Sequence, residues 1–238
     1  MDNLDWLRFR RRVVQSGLGT DHLPGPELEL VTQCVGSDYG GWVIAIEPLN
    51  NAANPVVLSF GLGDDISFDE EITSRYGACV YGFDPTSESL NWINARGKPA
   101  NMKVYPIGIA TFDGRQGFML PENGSRGDFP AKVTAARHVI CDVMRYESIL
   151  ALLELQHVDV LKLDGEGSDP DVIADILASS VLPVQLLIEL DHRRQHVHVG
   201  QTFKSVDRIK QSGFSLFAVS PGGQGLSFIR QSAVKKPN

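Results

Sequence analysis

The sequence has few cysteines, no excess of basic residues, no long apolar run and no third glycine in the turn after its first core strand. Each shortage excludes something. Cys34, Cys79 and Cys141 are far apart and form no CxxC pair, so neither a zinc knuckle nor a disulfide framework is indicated. Reduced, buried thiols are expected instead, with no metal. Lys and Arg number 22 against 29 Asp and Glu, a formal net charge of -7, which weighs against a nucleic-acid partner and its need for a basic face. No apolar stretch approaches the ~20 residues of a membrane span. Arginines near the N-terminus are not followed by the apolar core of a signal peptide. No membrane partner and a cytoplasmic location are therefore expected. Repeats and low-complexity tracts are missing too. The 238 residues suit one domain with a small N-terminal addition.

What is present centres on Val56 to Thr86, VVLSFGLGDDISFDEEITSRYGACVYGFDPT. Val56, Val57, Leu58 and Phe60 make the nearly unbroken apolar run of a parallel strand covered on both faces. Gly61-Leu62-Gly63 permits a tight turn with nothing projecting towards a ligand. Ser67 with Glu70 reads as a capping box opening a helix, and Phe68, Ile72 and Tyr76 fall on one stripe of it. A second strand, Cys79 to Phe83, ends on Asp84, roughly where a Rossmann unit places the carboxylate that holds ribose hydroxyls. Ile66 stands where a dinucleotide fold wants its third glycine. Asp64 and Asp65 sit in the turn itself and would repel a pyrophosphate. S-adenosyl-L-methionine (SAM) carries a sulfonium, an ammonium and ribose hydroxyls but no phosphate. The acidic turn favours SAM over NAD.

Around this unit the chain alternates. Residues 2 to 14 predict a helix ending in an arginine cluster, and Val43 to Ile46 a short strand. After Asp84, a helix carries Leu90 and Ile93 and stops at Gly97. Val104 to Ala110 reads as a third strand, with backbone at Gly108-Ile109-Ala110 against which an adenine could lie. Phe112 to Pro130 is a glycine- and charge-rich excursion with one strand-like piece, Gly117 to Leu120, and a turn at Asn123-Gly124-Ser125. His138 to Val143 predicts a strand and Ile149 to Leu155 an apolar helix. Val158 to Asp164 is the next strand, and Asp169-Pro170 is an N-cap followed by an N1 proline. Val184 to Glu189 is a further strand, and Thr202 to Ser212 a helix with Phe203, Val206 and Ile209 inward. Phe214 to Ser220 and Leu226 to Arg230 close the chain as a hairpin. This order predicts an α/β fold, a Rossmann-like and mostly parallel doubly wound sheet with a C-terminal antiparallel hairpin. The polar clusters fall at the carboxyl ends of its strands, where such sheets bind ligands.

SFGLGDDISFDEEI, VYGFDPT, VDVLKLDGEGSD and LLIELDHR, in that order, resemble the FkbM-type SAM-dependent methyltransferases over roughly Ser37 to Ile229. The resemblance implies a class I methyltransferase fold over residues 37–238, with 1–36 as an N-terminal helical extension. It also implies SAM as cofactor and, most often, O-methylation of a hydroxyl on a saccharide or natural-product small molecule. Gly61, Gly63 and Asp65 would line the methionine end and Asp84 the ribose, with Thr86 and Ile109 as further cofactor-binding positions. Gly165 and Asp191 depart from the usual blocks on the acceptor side. The alternatives are a methyltransferase-like binding protein without turnover and an NAD(P)-dependent oxidoreductase.

Methyl transfer to a hydroxyl needs a base, and Asp164, Glu166, Glu189 and His192 are the candidates, with Asp164, Glu166 and His192 taken as the catalytic set. Asp164 could equally hold the SAM amino group, and Glu166 could cap the helix that follows. His192, His196 and His198 are incidental loop histidines in this reading, because their spacing fits no single helical face. Asp164, Glu166 and Asp169 could gather Mg²⁺, the minority view.

Overall fold

The computed structural model describes residues 24–121, 136–165, 169–190 and 199–234. The predicted helix at 2–14 and the Asn123 turn lie outside them. From the N-terminal side come β1 (Thr32–Val35), β2 (Trp42–Ala45), α1 (Ile46–Asn51), β3 (Val56–Phe60), α2 (Ser67–Tyr76), β4 (Cys79–Phe83) and α3 (Ser87–Arg96). Next are β5 (Met102–Tyr105), β6 (Gly108–Ile109), β7 (Gly114–Pro121), β8 (Ala136–Met144) and α4 (Tyr146–Leu152). The rest is β9 (Val160–Leu163), α5 (Pro170–Leu177), β10 (Gln185–Glu189), α6 (Val199–Gln211), β11 (Phe214–Val219) and β12 (Gly225–Arg230).

Among the described residues, seven strands form one sheet in the order β11-β12-β10-β9-β3-β4-β5. The strands from β10 to β5 are parallel neighbours, and β12 runs antiparallel between β10 and β11. The predicted parallel sheet with a closing hairpin is what forms. Period-two alternation divides its side chains between two cores. Leu58, Phe60, Leu161, Leu163, Leu186 and Ile188 pack with Ile149, Ile173 and Val206 of α4, α5 and α6. Val57, Val160 and Leu187 face the other way, onto Leu49, Phe68, Ile72 and Ile93 of α1, α2 and α3. Chain order reverses at β3, whose neighbours are β4 on one side and β9 on the other. This is the switch point at which open α/β sheets bind their ligands.

Several expectations are corrected. The strand expected over 104–110 is two strands: Pro106 interrupts it, since proline has no N–H for the ladder. The second piece, β6, pairs with β8 in a separate three-stranded sheet with β7, so the strand expected at 138–143 also leaves the central sheet. Ile46 opens α1 instead of closing a strand. The described part of the N-terminal stretch, 24–36, holds strand β1. Phe203 is 42% exposed; Thr202, Ser205, Val206 and Ile209 form the buried face of α6. Cys34 is exposed and only Cys141 is buried, though all three thiols are free.

Candidate functional site

The site is built where β3 and β9 end side by side. Gly61 follows β3 with φ +76°, and a Cβ there would stand 2.2 Å from the Asp164 carbonyl oxygen. Only glycine fits, both for its left-handed backbone and for the closeness of the neighbouring strand end. The glycine thus serves the approach of two strands as much as room for a ligand. Its amide donates to the Phe83 carbonyl at 3.0 Å, so three consecutive strand ends are tied together.

Asp84, at the end of β4, is 2% exposed. Its Oδ2 accepts the Gly63 amide at 3.0 Å. Its Oδ1 accepts the Thr86 amide at 2.9 Å and the Thr86 hydroxyl at 2.6 Å. A carboxylate has about four acceptor positions, so these three bonds orient Asp84 without exhausting it. Thr86 is buried in that network and is the residue before α3.

The expected capping box is not formed. Ser67 is already inside α2, and its hydroxyl accepts the Ser37 amide at 2.8 Å. Glu70 instead takes both guanidinium nitrogens of Arg96, at 2.6 and 2.9 Å. Ile66 is the N-cap, and Asp65 just before it serves the helix head: its Oδ1 accepts the Ser67 amide at 2.8 Å and its Oδ2 accepts the Ser37 hydroxyl at 2.6 Å. Burial opposes ionisation, but the Ser37 and Ser67 hydrogen bonds and the nearby Lys162 hold the carboxyl below its ordinary value. A dinucleotide fold seats its pyrophosphate at this helix head. Here a carboxylate of the chain occupies the place, and Ile66 is fully buried where the third glycine would be. These residues fit a cationic nucleoside and oppose a phosphate.

The methyltransferase FkbM domain family matches residues 29–216, most of the chain. The chain belongs to that family. It is accordingly a SAM-dependent methyltransferase, and its seven-stranded sheet is the class I methyltransferase fold. No curated protein matches it. Among solved structures, it is similar to a Methanococcus jannaschii fibrillarin pre-rRNA processing protein, at 13% identity over 77% of this chain and 69% of that one, TM-score 0.48. It is also similar to Aeropyrum pernix fibrillarin with natively bound SAM, at 9% identity over 86% and 84%, TM-score 0.41. The antibiotic-resistance methyltransferase Kmr gives 13% over 83% and 98%, TM-score 0.36.

In this FkbM-domain protein, the other predicted residues divide. Asp164 sits beside Gly61 and pairs with Lys162, whose Nζ lies 3.3 Å from Oδ2. Ile109 lies in β6, its side chain buried in the core that holds Phe83. Glu189 ends β10 and joins the field around Lys162. Asp169 caps α5, accepting the Asp171 amide at 2.8 Å ahead of Pro170, a structural duty. Gly165 has φ +74°, which explains a glycine where the FkbM block usually carries a larger residue. Glu166, His192, His196 and His198 lie outside the described residues.

Three residues of the FkbM domain were not assigned from sequence. Ser37 anchors Asp65. Lys162 is 2% exposed, and its Nζ donates to the Gly61 carbonyl at 3.2 Å. Burial favours the neutral amine, but Asp164 and then Asp69 outweigh it and raise the Lys162 pKa above the ordinary lysine value. Asp69 on α2 is fully buried with neither carboxyl oxygen hydrogen-bonded. Burial pushes its pKa up, against the pull of Lys162 and of the neighbouring Ser59 hydroxyl, which is itself without a hydrogen-bond partner. The available signals were a lysine inside the apolar run VDVLKLD and a carboxylate spaced three residues from both Ile66 and Ile72.

Proposed function

We propose that this chain is an O-methyltransferase acting on a hydroxyl of a saccharide or natural-product small molecule, with no nucleic-acid partner. The observation carrying the cofactor assignment is Asp65 at the head of α2, with Asp84 and Asp164 on the neighbouring strand ends. In this reading Asp84 holds the ribose hydroxyls, and Gly61, Gly63 and Asp65 line the methionine end. Thr86 and Ile109 complete the cofactor-binding set. The acidic chain, at net charge -7, and a supply of general bases support a small hydroxylic acceptor.

When bound, the sulfonium methyl is the electrophile, so the chain's principal task is alignment, which supplies ~7–11 kcal/mol. The acceptor oxygen gains the methyl carbon as the bond to sulfur breaks, and a base takes the hydroxyl proton. A positioned base contributes about 10²–10⁴-fold. His192 and Glu166 are the candidates, with Asp164 either sharing that role or holding the cofactor ammonium. Histidine is the side chain that ordinarily titrates near neutrality.

The test incubates the protein with isotopically labelled SAM and separate panels of saccharides, hydroxylated small molecules, amines and RNA. Label in an ether methyl of a hydroxylic acceptor is expected, reduced by His192→Ala or Glu166→Ala. Label confined to RNA or to amines overturns the acceptor assignment.

A further inference from the structure

Lys162 occupies an unusual place for a charged residue. It lies inside the central sheet, in register with Ser59 of β3 on one side and Leu187 of β10 on the other. Its side of the sheet is the one that α2 covers, and α2 there presents the buried, unpartnered Asp69. Above it, the Gly61 carbonyl and the Asp164 carboxylate are drawn to one ammonium, at 3.2 and 3.3 Å.

We infer that Lys162 is a positioning residue of the cofactor site, its ammonium bridging the Gly61 carbonyl and the Asp164 carboxylate across the β3–β9 switch point, with the buried Asp69 carboxyl facing it from α2. The inference rests on the cofactor reading of this turn. Two oxygen-bearing groups of like polarity converge where β3 and β9 end, and without a cation between them they repel. The carboxylates facing Lys162 come from every neighbouring element: Asp164 from β9, Asp69 from α2 and Glu189 from β10, with Asp65 from the turn. One buried ammonium cannot balance Asp164, Glu189 and Asp65 together, and the remainder suits a cationic ligand. Buried polar groups left unpaired call for an explanation, and Ser59 and Asp69 have one if the cluster exists to hold Lys162.

The test separates positioning from plain charge balance. SAM affinity is measured by calorimetry, and urea midpoints are recorded from pH 6 to 9, for wild type, Lys162→Met and the double variant Lys162→Met/Asp69→Asn. Lys162→Met is expected to weaken SAM binding at least tenfold and to lower the urea midpoint, most at alkaline pH, where Asp69 is stranded. The double variant removes the stranded carboxylate and regains the midpoint, yet keeps the tenfold weaker binding, because the Gly61–Asp164 bridge is still missing. A folded double variant binding SAM within twofold of wild type overturns the inference. Wild-type protein giving no heat with SAM would instead sink the cofactor reading beneath it.

Discussion

The Asp84 carboxylate closes on the Gly63 amide at 3.0 Å, joining the end of β4 to the turn after β3 across 21 residues of sequence. One side chain therefore shapes the turn and, in the proposed reading, also holds the cofactor ribose. Asp84→Ala should abolish SAM binding in calorimetry. It should also cost about 1–3 kcal/mol of stability, since buried donors at Gly63 and Thr86 lose their acceptor. Unchanged SAM affinity in the folded variant would remove the ribose assignment.

Gly61 and Gly165 share a left-handed backbone but not the same surroundings. A Cβ at Gly61 meets the Asp164 carbonyl oxygen at 2.2 Å, whereas one at Gly165 meets nothing within 4 Å. Alanine at either position loses about 1–2 kcal/mol to the backbone. Gly61→Ala should lose clearly more, because the β3 and β9 ends must part. Urea midpoints of the two variants give the comparison, and equal losses would contradict the close approach.

Burial raises the pKa of Asp69 above its ordinary value of 3.8. Between that value and the raised one, the folded state holds a proton that the unfolded state has released, so stability falls as pH rises through the window. Below the unfolded value the contribution is fully present. Asp69→Asn abolishes this titration. Its stability relative to wild type should therefore climb as pH rises through that window and level off above it. Parallel stability curves for the two proteins would show that Asp69 is not held this way.

Gln185 binds the β1–β2 hairpin to the central sheet. Its side chain accepts the Ala45 amide at 2.7 Å and donates to the Ala45 carbonyl at 3.0 Å, 140 residues away and buried. Gln185→Ala orphans both groups at roughly 1–3 kcal/mol each. Hydrogen exchange should show residues 32–45 opening before the rest of the sheet.

The unit from Val56 to Asp84 was legible because its strands are mostly apolar and its turn needs glycine, two signals that depend on local sequence. The closing hairpin and the Asp169 cap were legible for the same reason. β1 was missed because TQCV has one buried residue in four, which leaves no periodic pattern to read. The side chain serving the helix head was misassigned because Asp65 and Ser67 both offer an oxygen near the helix start, and the contact with Ser37, 28 residues upstream, decides between them. The strand read over Val158 to Asp164 contains Lys162. That reading could not reveal that Asp69 waits on the covering helix, since that depends on how α2 lies across β3 and β9.

A cell is crowded with ATP and nicotinamide dinucleotides, each looking for an unclaimed helix head. Asp65 has claimed this one from within, fastened by Ser37 on one oxygen and by the Ser67 amide on the other. If that claim on the helix head is what counts, ATP, NAD or NADP in excess should leave the melting temperature where it was while SAM raises it.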